Sequence, residues 1–251
     1  MAVLFDDRTG RLRLDQAAFD HLVVIAAGLN PWPESGGAPA AELSAAGAVP
    51  DGRPHPRLSA GLRAVIEPAY RLHLTLLDDR TGRLKAGDGW IDDGAAALLL
   101  DLPDGLREFV TLHPAFLPAA LARVVRLGPR PRPRWEPVRL PAGRVAGLFA
   151  VDPAVRRSAA ADAAAGEGET PGPGAPPPAI LAGGWRAWRV EMTWTDPGGG
   201  PAGDVLDVVD TGDAGLCLVE LYDAEAALWP ATATAVWRLL IRMVSAGLAE
   251  R

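Results

Sequence analysis

One pattern occurs twice in this chain, and it restricts the possible folds more than any other feature. Tyr70-Arg71-Leu72-His73-Leu74-Thr75-Leu76 returns as Trp188-Arg189-Val190-Glu191-Met192-Thr193-Trp194. One constant shift pairs Arg71 with Arg189, Thr75 with Thr193 and Asp78 with Asp196. The same shift carries Trp90-Ile91-Asp92-Asp93-Gly94 onto Val208-Val209-Asp210-Thr211-Gly212, and Leu98 and Leu100 onto Leu216 and Leu218. After a two-residue deletion Leu112-His113-Pro114-Ala115 falls on Leu228-Trp229-Pro230-Ala231, and an apolar helical segment follows each copy. A shift held through strand, turn, strand and helix predicts a duplicated supersecondary unit.

Within the first copy Tyr70, Leu72, Leu74 and Leu76 alternate with Arg71, His73 and Thr75, the period of a strand with one apolar face. Further strands are expected towards Ile91, over 95–101 and over 107–112, as an antiparallel meander with short connections. The second meander runs from Trp185 to about Trp229. Helices are expected over 15–27, capped by Asp15 and stopped by Gly28, over 40–46, and after Pro54-His55-Pro56. Others are expected over 114–127, over 152–165 and from Pro230 to Ala249, and 138–151 holds a further apolar segment. Residues 1–14 read as a hairpin or extended arm, whose turn, Asp6-Asp7-Arg8-Thr9-Gly10, recurs at 78–82. The Gly/Pro/Glu stretch 166–178 reads as a disordered loop.

The expected fold is therefore α+β. Residues 1–251 form a single domain of two quasi-repeated halves, about 1–128 and 129–251. Each half is a group of helices, an antiparallel meander and a terminal helix. Joining the meanders edge to edge about a pseudo-two-fold axis makes one central antiparallel sheet and covers two strand edges.

Composition removes several classes of function. With 49% hydrophobic residues the chain is globular, and a net charge of −6 argues against a nucleic-acid partner. Cys217 is the only cysteine, so an internal disulfide and a thiolate metal cluster are both excluded. No apolar run approaches the roughly 20 residues of a membrane span. The N-terminus lacks the basic-then-apolar order of a signal peptide, so a cytoplasmic location is expected.

His21, His55, His73 and His113 have no ligand spacing, and Asp207, Asp210 and Asp213 lack the glycine and distal glutamate of a calcium loop. Nucleophile-elbow, phosphate-loop and zinc-protease motifs are missing from the sequence. No catalytic, cofactor-binding or metal residue is assigned, and a non-enzymatic role is expected. Trp188 and Trp194 alternate with Val190 and Met192 on the face expected to lie beneath helices. The opposite face is polar in both copies: ordinary for an antiparallel sheet, and also a platform for a protein partner.

Leu14-Asp15-Gln16-Ala17-Ala18-Phe19-Asp20-His21-Leu22, Leu43-Ser44-Ala45-Ala46-Gly47 and Pro56-Arg57-Leu58-Ser59-Ala60-Gly61-Leu62, with Ile66-Glu67-Pro68 before the first strand, resemble the EspG-type chaperones of ESX (type VII) secretion in actinobacteria. Val208-Val209-Asp210-Thr211 and Gly215 are similar to the family's Asp-Thr-x-x-Gly-Arg turn, with a residue inserted and Leu216 in the arginine's place. The closing helix adds to the likeness. The resemblance implies a pseudo-two-fold fold around an antiparallel sheet. It also implies a cytosolic, non-enzymatic role in which the tip of a helical PE–PPE or WXG-type substrate is held until export.

On that reading the partner-binding candidates are Arg71, His73, Thr75, Asp78 and Arg80 in one copy and Arg189, Glu191, Thr193 and Asp196 in the other. Arg71 and Arg189 are expected to tolerate replacement by Glu without loss of the fold. Two other readings stay open: a small-molecule-binding or enzymatic α+β domain with its cavity between the halves, and an oligomerising module that uses its sheet edges.

Overall fold

The computed structural model describes residues 3–29, 37–78, 81, 83–132, 135–150, 152–164 and 185–249. Arg80 and the 166–178 stretch lie outside the described residues.

The first half begins with a hairpin, β1 (Leu4–Asp6) and β2 (Arg11–Leu14), then α1 (Gln16–Ala26), α2 (Ala38–Ala45) and α3 (Pro56–Ile66). Its meander is β3 (Tyr70–Asp78), β4 (Arg83–Ile91), β5 (Ala96–Asp101) and β6 (Arg107–Leu112), closed by α4 (Leu117–Val124). The second half opens with β7 (Val138–Pro141), α5 (Ala142–Ala146) and α6 (Pro153–Ala164). It continues through β8 (Arg186–Thr195), β9 (Pro201–Asp210), β10 (Leu216–Leu221) and β11 (Glu225–Ala231) to α7 (Ala233–Ala249).

All these strands join one eleven-stranded sheet of order β1-β2-β6-β5-β4-β3-β8-β9-β10-β11-β7. Each meander runs outward from the centre in the same order and is extended at its far end from the start of its half, the first by the β1–β2 hairpin and the second by β7. The seam is the antiparallel ladder of β3 with β8, in which Leu74 faces Val190 and Arg71 faces Thr193. In that register His73 faces Glu191, its own counterpart in the repeated sequence, as an approximate two-fold axis between them requires.

The alternation of β3 sorts its side chains onto two faces. On one, Leu72, Leu74, Trp188, Val190 and Met192 pack beneath α4 and α7 through Leu117, Leu121, Val236 and Leu240. On the other, α1 and α3 set Phe19, Leu22, Leu58 and Leu62 against Leu99 and Phe109. Farther along that face, Val145, Leu148 and Ala159 of the α5–α6 region cover Ala187, Val209 and Val219. Arg71, His73 and Thr193 stay exposed between these two groups of helices.

Local chemistry sets the element ends. Asp15 accepts the Ala18 N–H at 2.7 Å and starts α1, and Asp152 does the same for α6 through the Ala154 N–H. In the first hairpin turn Asp6 accepts the Arg8 N–H and the Thr9 hydroxyl, and Gly10 takes φ +70°.

Three expectations are corrected, and one segment gains an assignment. First, α4 stops at Val124, short of 127, because Arg126 turns left-handed and the Leu127 N–H bonds back to the Ala122 carbonyl at 2.8 Å. Second, Pro230 lies in β11 and does not open a helix. It sits past the last residue that β7 pairs, Leu228, so its missing N–H leaves that ladder intact. Thr232 caps α7 instead, accepting the Ala235 N–H. The 138–151 segment, to which the sequence assigns no element type, holds the strand β7 on the outer edge of β11. Last, the β8–β9 connection is one residue shorter than the β3–β4 connection when counted from equivalent residues, so Asp207, not Val208, occupies the place that Trp90 holds in the first half.

Close packing at one glycine gives a test of this arrangement. A Cβ on Gly61 in α3 would lie 2.2 Å from the Thr111 hydroxyl and 3.1 Å from the Phe109 ring. Gly61→Ala is therefore expected to cost roughly 1–3 kcal/mol, since helix and sheet would have to separate. Urea unfolding measures it, and an unchanged midpoint would contradict the packing.

Candidate partner-binding face

The seam carries a polar floor built by cross-strand pairing. On β3, Arg71 lies between Trp90 of β4 and Thr193 of β8, His73 between Asp88 and Glu191, and Thr75 between Ala86 and Arg189. Side chains directly opposite in neighbouring strands stand about 4.5–5.5 Å apart at Cβ, so these residues form one surface. Arg71, His73, Asp88, Trp90, Glu191 and Thr193 line a shallow hollow of about 330 Å³ in it.

The two arginines that the repeat equates are in different states. Arg189 donates from Nε and Nη2 to the two oxygens of Asp207, both at 2.6 Å, and its guanidinium lies over the Phe149 ring. Asp207 is only 4% exposed. Burial pushes its carboxyl up, while the bonds to Arg189 oppose that and hold the Arg189 guanidinium above its ordinary value. The fork geometry decides for the ionised pair. Arg71 has Trp90 where Arg189 has Asp207, and among the described residues no carboxylate lies within ion-pair distance of it. Between them, His73 Nδ1 is 3.0 Å from Asp88, whose other oxygen accepts from Arg107.

The structure thus brings Arg71, His73, Thr75, Arg189, Glu191 and Thr193 onto one face. Asp78 and Asp196 stand at opposite ends of the antiparallel seam, each shaping a loop: Asp78 accepts the Thr81 N–H, and Asp196 the Gly200 N–H. Arg80 lies outside the described residues. The expectation that Arg189 is freely replaceable is corrected by its bonds to Asp207.

Asp88, Trp90 and Asp207 belong to the same floor and were not singled out as site residues. Their placement depends on hairpin register, although alternation within β4 does put Asp88 and Trp90 on one face. Asp210 is held by Arg130 at 2.9 Å and by Arg186, and accepts the Gly212 N–H. Burial pushes its carboxyl up, but those donors outweigh it and leave it below the ordinary range. Among the described residues no group of three His, Cys, Asp or Glu is placed to hold a metal ion. Cys217 is buried, and its thiol is pushed up to about 12, which removes it as a nucleophile at neutral pH.

A larger cleft, about 640 Å³, opens on the other side of the sheet between the terminal helices of the two halves. Ala119, Ala122, Leu127 and Trp237 give it apolar walls, and among the described residues no carboxylate, imidazole or thiol lines it.

No protein-family model matches the chain, and no curated protein does. Among solved structures, the type VII secretion system chaperone EspG5 of Mycobacterium tuberculosis, determined in complex with a PE25–PPE41 dimer, matches 95% of this chain and 96% of its own length. The TM-score is 0.57 and the identity 14%. The chain has the EspG5 fold. At that identity the shared property is the arrangement of elements, and it agrees with the resemblance read from residues 14–22, 43–47 and 56–68. No helix among the described residues is long and apolar enough to cross a membrane.

Proposed function

We propose that this protein is a cytoplasmic, non-enzymatic chaperone or adaptor that binds a helical type VII secretion substrate, a PE–PPE or WXG-type pair, before export. The observation that carries the reading is the likeness to a secretion chaperone across nearly the whole chain. The open floor at the seam supports it: helices cover the sheet on either side and leave a polar hollow between them. A partner's helical tip seated there meets a rigid strand surface, with a free cation at Arg71 and carboxylates at Glu191 and Asp88. Arg71 contributes both its stem and its charge, as arginine does at interface centres. Thr75, Thr193 and the two ends of the seam at Asp78 and Asp196 form the rim.

Titration calorimetry with purified PE–PPE and WXG-type pairs from the same genome tests this. One pair is expected to form a stable complex. Arg71→Glu is expected to weaken it by at least about 2 kcal/mol, with circular dichroism unchanged because Arg71 holds no ion-pair partner among the described residues. No complex with any such pair would overturn the reading. Full affinity in the Arg71→Glu variant would remove this face as the site.

A further inference from the structure

The charges of this chain are segregated. The whole carries −6, yet 117–132 and the whole of α7 contain no Asp or Glu. Among the described residues, Arg123, Arg126, Arg132, Arg238 and Arg242 are exposed there, and none has a carboxylate within ion-pair distance. Arg130 is already matched by Asp210.

Two of the elements that carry these cations, α4 and α7, wall an open cleft. Arg123 lines it directly, and Arg126 follows at the end of α4. Arg238 comes next after the lining residue Trp237 in α7, with Arg242 one turn on. Phe116, before α4, and Ile241, on α7, add exposed apolar surface of 66% and 38%.

We propose that the α4–α7 cleft is a second docking surface, which takes an amphipathic helix of a partner protein whose apolar stripe is flanked by carboxylates. The small side chains of Ala119, Ala122 and Ala233 let a third helix approach the groove between two others closely. Trp237 supplies the apolar anchor that interface centres favour. The unmatched arginines select for acid at the flanks and speed encounter with it. A polyanion such as RNA would satisfy the arginines but leave the apolar walls wet. A flat bilayer would satisfy the rim but not enter the cleft. This surface lies across the sheet from the Arg71 floor and does not depend on it.

The test uses the full chain and two fluorescein-labelled synthetic helices with the same leucine stripe, one flanked by glutamates and the other by lysines. Anisotropy is expected to show the glutamate helix binding at least about tenfold tighter, with the advantage shrinking as salt rises. Arg123→Glu with Arg238→Glu should abolish that preference, with thermal unfolding unchanged because neither residue is paired among the described residues. Arg71→Glu should leave binding unaltered, which separates this surface from the substrate face. Equal binding of both helices, binding of neither, or indifference to the arginine reversals would overturn the proposal. So would arginine-dependent binding of RNA or of phosphatidylserine vesicles without binding of the glutamate helix.

Discussion

Arg189→Glu is expected to destabilise the protein by about 3–5 kcal/mol, the range for removing one member of a buried ion pair. Asp207 is nearly inaccessible, and both its oxygens accept from Arg189. The substitution removes that counter-charge and sets a second carboxylate beside the first. Glu191, 3.5 Å from the Arg189 guanidinium, adds to the repulsion. Arg71→Glu, the same change at the matching place in the repeat, is expected to alter stability little. Urea unfolding of the two variants side by side measures the contrast. The double replacement Arg189→Met with Asp207→Leu should recover much of the loss, because an apolar pair needs no desolvated charges. Equal, small effects of Arg71→Glu and Arg189→Glu would contradict the pairing described.

Trp188→Ala is the second large effect, about 3–5 kcal/mol. Trp188 is 1% exposed, faces Leu76 across the seam and Val208 on its other side, and belongs to the core beneath α4 and α7. Removing the indole empties the layer on which both terminal helices rest. For a domain of this size the loss corresponds to a fall in Tm on the order of 10 °C. Trp194→Ala should cost less, since that ring is half-buried and packs against Tyr70 with centroids 5.9 Å apart. If both substitutions cost the same small amount, the face assigned to α4 and α7 is wrong.

Much of the architecture was legible because alternation and helical spacing are local properties. The period of Tyr70 to Leu76 tells which face is apolar, and repeating it at Trp188 tells that two such faces exist. Pairing partners are another matter. That β2 adds to β6 and β7 to β11 depends on contacts distant in sequence, and β7 has too few residues to show a period. Pro230 suits a helix start or a strand edge equally well, and only the short reach of β7 decides between them.

The polar face was likewise legible as a face, but not the state of its arginines. One residue fewer in the β8–β9 connection sets Asp207 opposite Arg189, whereas the longer β3–β4 connection sets Trp90 opposite Arg71. Side-chain identity along one strand carries no trace of that difference. The segregation of charge around the α4–α7 cleft was present in the sequence as two acid-free segments. It became a surface only when the fold brought α4 and α7 together.

Hydrogen exchange on the protein, alone and mixed with the PE–PPE or WXG-type pair that the proposed function assigns to it, tests the central claim most directly. The account predicts slowed exchange in the backbone of β3 and β8 and in the β8–β9 loop, around Arg71, Glu191 and Asp196. Exchange on the exposed side of α7 should be unchanged. Protection confined to α4 and α7, or spread evenly over the chain, would contradict a substrate site on the seam.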